Sequence, residues 1–137
     1  SKPASIRELY RAVGADRFLQ LQEQSILRFA KSESNTVWAT GGGLADSKES
    51  MRLIASNGIV VHLKPPWEEA WKRVVTGGIP AFLSKEDPRT DFRRVSERRQ
   101  LVYDDVADLV VDTAGNTVEE VQQVVTEFVL ETIRGRK

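Results

Sequence analysis

Three short runs rich in β-branched residues, at 36–40, 58–63 and 108–112, are separated by stretches of helical spacing long enough to cross back over a sheet. A strand period of two that repeatedly gives way to a helix period of 3.6 is the pattern of βαβ units. It predicts an α/β domain with a parallel sheet flanked by helices on both faces. The run Gly58-Ile59-Val60-Val61-His62-Leu63 is almost continuously apolar, as in a strand buried on both faces. The run Thr36-Val37-Trp38-Ala39-Thr40 ends in Gly41-Gly42-Gly43 and reads as a strand entering a tight turn.

The helices between these runs carry their own start and stop signals. Ser5-Ile6-Arg7-Glu8 has the form of a capping box, and the helix it opens stops at Gly14. A second helix is predicted from residue 15 to about 30, with Phe18, Leu21, Ser25, Ile26 and Phe29 as its buried stripe. A third is expected from 47 to about 56, with Asp46 as its cap. Pro65-Pro66 opens a fourth, from 67 to about 75, and a fifth spans about 90–103. Thr117-Val118-Glu119-Glu120 is a second capping box, with Val121, Val124, Val125 and Phe128 on one face of the final helix.

A chain of 137 residues with no repeat and no linker is expected to form one domain, 1–137. The 20 basic and 20 acidic side chains cancel, so there is no global footprint for nucleic acid or an anionic membrane. No apolar run approaches the roughly 20 residues of a membrane span. There is no cysteine and only one histidine, which leaves a His/Cys metal site or a Cys-His nucleophile without support. His62 itself lies in an apolar run and reads as a packed histidine. A cysteine-free α/β chain fits a reducing cytoplasm.

Ligands of open parallel sheets bind outside the carboxyl ends of the strands. The candidate site is therefore expected where the triple glycine, residues 64–66 and residues 112–115 converge. Three glycines let a ligand touch the backbone, although a flexible turn is the simpler reading of the glycines alone. The chain contains no Gly-Lys pair and hence no G-x-x-x-x-G-K-[ST] loop. Arg73, Arg93, Arg94, Arg98 and Arg99 are candidates for an anion clamp, of which at most two can face a site while the rest form a solvated surface. The segment 77–88 is long and begins with Gly77-Gly78, as a lid or an ordinary loop would. Trp67 and Trp71, four apart, read as a packing stripe.

The order of several of these pieces resembles the shikimate kinases from Ser5 onward: Ser5-Ile6-Arg7-Glu8-Leu9-Tyr10 with Gly14, then Phe18, Trp38-Ala39-Thr40-Gly41-Gly42-Gly43, and residues 59–63. Arg73 ahead of a lid, Arg99 four residues before Tyr103, Val106-Ala107-Asp108, and Val110-Val111-Asp112-Thr113 complete it. The resemblance implies a nucleoside monophosphate kinase-like P-loop fold and transfer of the γ-phosphoryl of ATP, with Mg²⁺, to the 3-hydroxyl of shikimate. It implies that Gly41, Gly42 and Gly43 touch shikimate, that Arg99 pairs with its carboxylate, and that Arg73 reaches the nucleotide phosphates as the catalytic arginine. Asp112 and Thr113 would border the nucleotide. Where the family has an arginine and a glutamate after the Phe18 position, this chain has Leu19 and Gln22, and its lid reads Ile79-Pro80-Ala81-Phe82.

The family's sheet order is 2-3-1-4-5, which makes the runs here the third, fourth and fifth strands. The resemblance thus implies that the central strand and the Walker A segment, with the main ATP and Mg²⁺ sites, lie upstream of Ser1. The sheet would need that segment or a partner to be complete, and this chain alone should be inactive. The implied partners are a shikimate-like acid and a nucleotide, with no nucleic acid or membrane; the implied compartment is the cytoplasm, or a plastid in a plant. A catalytically impaired pseudo-kinase module binding a small acid or nucleotide is the second reading, and an α/β interaction domain without a ligand is the third.

Overall fold

The computed structural model describes residues 5–32, 34–80 and 82–136. The chain forms two compact units, Ser1–Gly58 and Ile59–Lys137, which are taken in turn.

The first unit is helical. Helix α1 (Ile6–Ala30) starts at Ser5, whose side chain accepts a hydrogen bond from the Glu8 amide at 3.2 Å. The break expected at Gly14 is a kink inside α1: Gly14 adopts φ 78°, ψ 170°, a conformation that a residue with a Cβ rarely takes. Tyr10 and Phe18 close across the kink edge to face, their ring centroids 5.4 Å apart. Of the stripe expected along α1, only Ile26 is buried, and Phe29 stands 43% exposed beside Trp38.

A 3-10 turn (Gly42–Asp46) leads into α2 (Lys48–Asn57). The cap of α2 is Ser47, not Asp46: the Ser47 hydroxyl accepts from the Ser50 amide at 3.1 Å, while Asp46 is held inside the preceding turn. Ile26, Leu44, Ala45 and Met51 form the core of this unit.

Residues 36–40 are a correction to the sequence reading, because they are extended but not a strand. A strand exists only where neighbours take its N–H and C=O groups, and among the described residues no backbone hydrogen bond joins this segment to another. Val37 is accordingly fully exposed. Three strands were expected, and two form.

The second unit is an α/β unit. Strand β1 (Val61–Lys64) lies parallel to β2 (Leu109–Asp112), in the register Val61↔Leu109 to Lys64↔Asp112. Helices α3 (Trp67–Gly77) and α4 (Pro88–Val106) make the crossover, and α5 (Val118–Gly135) follows β2. Pro66 precedes the first turn of α3 as read, while α4 starts two residues earlier than expected, capped by Asp87 with Pro88 at its first position. Thr117 and Glu120 form the reciprocal capping box, at 3.2 and 2.7 Å. Replacing Thr117 with alanine is expected to cost about 1 kcal/mol, read as a shift of the urea midpoint at unchanged slope.

The register places His62 with Val110 on one face of the sheet and Leu63 with Val111 on the other. Helix α4 covers the first face at His62, which is 8% exposed, and α5 covers the second at Val111, also 8% exposed. Helices thus stand on both faces, each over one strand. Leu63, 49% exposed, and Val110, 43% exposed, are bare, so the expectation of a β1 strand buried on both faces does not hold.

Candidate functional site

Each unit holds one cluster of the residues singled out in the sequence. In the first, the triple glycine enters the 3-10 turn, closed by a hydrogen bond from the Leu44 amide to the Gly41 carbonyl at 3.2 Å. Leu44, 1% exposed, pins the turn into the core. Gly41 lies close to Gln22: a Cβ there would meet the end of the Gln22 side chain, which is flexible enough to move aside. One residue along α1, the Glu23 carboxylate accepts from Ser47 Oγ at 3.0 Å and Ser50 Oγ at 2.9 Å. Ser50 is fully buried, so this acceptor satisfies a hydroxyl that has no access to water. The turn is therefore held at its far end, through Ser47 on Glu23.

In the second unit, the carboxyl ends of β1 and β2 are joined by the Thr113 amide donating to the Lys64 carbonyl at 3.2 Å. Asp112 is committed to its own loop, accepting from the Ala114 amide at 2.9 Å, and Asn116 donates to the Asp112 carbonyl at 3.0 Å. Thr113 Oγ1 is buried and has no hydrogen-bond partner among the described residues.

The arginines separate as their positions suggest. Arg93 pairs with Glu97 at 2.8 Å and Arg94 with Asp91, all within α4. Arg73, the residue expected at the phosphates, is 71% exposed and lies 3.8 Å from Glu69 of its own helix. Arg99 differs: its Nε is buried, and its guanidinium lies over the Phe82 ring, 5.4 Å from the centroid. Trp71 packs on Phe92, as a packing residue should, while Trp67 carries Arg89 and Arg93 over its ring, at 5.3 and 5.1 Å. Ala81, in the segment read as a lid, lies outside the described residues.

A polar triad beneath this end of the sheet was not foreseen. Asp104 on α4 accepts from His62 Nδ1 at 2.8 Å and from Lys64 Nζ at 2.6 Å. The hydrogen bonds from Lys64 and then His62 hold its carboxyl below the usual aspartate range. An ionised carboxylate only accepts, so His62 carries its proton on Nδ1. Gln100, one turn before Asp104, donates to the Pro65 carbonyl at 3.2 Å, so α4 grips β1 and the start of α3 together. The sign of the linkage follows from a folded-state pKa lying below the unfolded one. The contribution is complete above the unfolded value near 3.9 and is lost as pH falls through the lower folded value. Asp104→Asn is therefore expected to lower stability at pH 7 and to flatten the stability profile below about pH 4, measured by urea unfolding across pH.

A model of the family described as "Shikimate kinase" matches residues 2–130. The chain belongs to the shikimate kinase family. A shikimate kinase of Pseudoalteromonas atlantica (strain T6c / ATCC BAA-1087) is 30% identical over 124 residues, covering 90% of this chain and 72% of that protein. One from Francisella tularensis subsp. novicida (strain U112) is 29% identical over 118 residues, covering 86% and 67%. The fold of this family is the P-loop kinase fold, of which β1, β2 and their helices form a parallel α/β part. Among the shikimate kinase positions named from the sequence, Gly41, Gly42 and Gly43 lie in the first unit. Arg73, Arg99, Asp112 and Thr113 lie in the second. Sequence reasoning missed Gln22 as the side chain beside Gly41, Asp104 as the residue that ties Lys64 to His62, and Phe82 as the neighbour of Arg99. In each case the partner is remote in the sequence and no local pattern marks it.

A magnesium site is not supplied by the residues described. No group of three or more Asp, Glu or His side chains gathers among them, and the chain has no Gly-Lys pair. No helix among the described residues is long and apolar enough to cross a membrane.

Proposed function

We propose that this chain is the acid-binding part of a shikimate kinase, one domain in which phosphoryl transfer runs from ATP to the 3-hydroxyl of shikimate. The observation that carries the reading is Arg99, with its Nε buried and its guanidinium set over an aromatic ring at the level of the β-strand ends. Such an arginine recognises a carboxylate through paired N–H groups and holds the acid in one orientation. On the resemblance, Gly41, Gly42 and Gly43 are further residues proposed to meet the hydroxylated acid. Phosphoryl transfer depends mostly on positioning and charge neutralisation, so a residue that fixes the acceptor contributes directly to rate.

Thr113 supports a nucleotide-side role, since its buried hydroxyl is satisfied when a ligand atom reaches it. Asp112 acts there by shaping the loop. Arg73, exposed on α3, serves the phosphates only if it leaves Glu69. ATP and Mg²⁺ are the cofactors this reading implies.

The sheet of the second unit is completed by further strands, either of the same protein or of a partner. Leu63 and Val110, each bare on one face of a two-stranded sheet, support this. Circular dichroism and urea unfolding of residues 1–137 test it: a cooperative transition of an isolated monomer would contradict it.

A kinase assay of the intact protein with shikimate, ATP and Mg²⁺, reading ADP formation, tests the activity. Shikimate-dependent ADP formation is expected. Binding without turnover would instead support the pseudo-kinase reading, which Leu19 and Gln22 favour by removing one of two expected carboxylate arginines and its glutamate partner.

A further inference from the structure

We propose that Phe82 is a positioning residue for Arg99, setting the plane in which the guanidinium meets the substrate's carboxylate. The inference rests on the reading of Arg99 given above. Phe82 is half exposed, and what its ring meets is the Arg99 guanidinium, 5.4 Å from the ring centroid.

The loop does not hold the ring there by chance. Leu83, the next residue, is 5% exposed and buried as an anchor, and its amide donates to the Pro80 carbonyl at 3.2 Å. The Ser84 amide donates to Asp91 at 3.0 Å, which fastens the loop to the first turn of α4. That hydrogen bond, followed by the one from Arg94, keeps the Asp91 carboxyl below its ordinary range, so the fastening persists at neutral pH. Arg99 stands eight residues further along the same helix, roughly 12 Å by helical rise. The segment from Phe82 to Ser84 is thus laid along α4 with its ring on the arginine.

A planar guanidinium that gives one face to a ring keeps its N–H groups in plane, the geometry a carboxylate needs. The ring also removes water from that face and restricts a side chain with large rotamer freedom, so less ordering remains to be done when the acid binds.

The test is calorimetric titration of shikimate into the intact protein. Phe82→Leu should weaken binding by about two- to fivefold, the range of a partly exposed cation–π contact. Phe82→Tyr and Phe82→Trp, which retain a ring, should bind within about twofold of the unmodified protein. In an Arg99→Gln background, Phe82→Leu should add no further loss, because the ring acts through the arginine. Equal losses in both backgrounds, or tighter binding after loss of the ring, would overturn the proposal while leaving the role of Arg99 intact. An Arg99→Gln protein that binds shikimate normally would overturn the reading of Arg99 and this inference with it, as would an unmodified protein that does not bind shikimate.

Discussion

Arg99→Ala should weaken shikimate binding by about 2–5 kcal/mol, roughly thirtyfold to several thousandfold in Kd. The size of the effect comes from where the arginine sits. Its Nε is buried and its guanidinium lies over Phe82, so the side chain is already ordered when a carboxylate arrives. Arg93→Ala is the matched control. Arg93 sits on the same helix, lies over the Trp67 ring and pairs with Glu97 of its own helix, and its loss should leave shikimate affinity unchanged. A titration showing equal effects of the two substitutions would remove Arg99 from the site.

Leu44→Ala should destabilise the first unit by about 2–5 kcal/mol, the range for truncating a fully buried leucine. Leu44 is 1% exposed and packs in the small core with Ile26, Ala45 and Met51, a cluster with few other large side chains to close over a cavity. Its amide also closes the turn onto the Gly41 carbonyl, so the same substitution loosens the glycines from their setting against Gln22. Loss of shikimate affinity is expected to accompany the loss of stability. By contrast, Val37→Ala, at a fully exposed position, should change neither. Urea unfolding followed by calorimetry on the two variants separates these outcomes.

The parts of the fold that the sequence makes plain are those decided within a few residues. Gly14 had to end or kink a helix, Pro66 had to sit at a helix start, and the Thr117 and Glu120 pair had to cap α5. Each acts through its own backbone and its immediate neighbours. Residues 36–40 show the opposite case. Their β-branched and aromatic composition describes a surface suited to a sheet, but strand formation depends on neighbours, and no backbone hydrogen bond among the described residues reaches them. Asp46 and Ser47 are both capable caps, and the choice fell to the 3-10 turn, which holds Asp46 inside it.

The candidate site divides along the same line. Glycines and arginines announce themselves by type, and Arg99 stood out by its place before Tyr103. Whether an arginine on a charged helix faces solvent or a ring is a tertiary fact, and Arg93, Arg94 and Arg99 look alike in sequence. Asp104 reads as another charge on a solvated helix, because its partners His62 and Lys64 lie 42 and 40 residues away on a strand.

The most direct measurement compares shikimate with its neutral carboxamide in titrations of the intact protein and of Arg99→Ala. The unmodified protein should prefer the acid by about ten- to a hundredfold, the worth of a charge-assisted hydrogen-bond pair, and the variant should show almost no preference. An undiminished preference for the acid in the variant, or none in the unmodified protein, would contradict the assignment of Arg99 to the carboxylate and the site built around it.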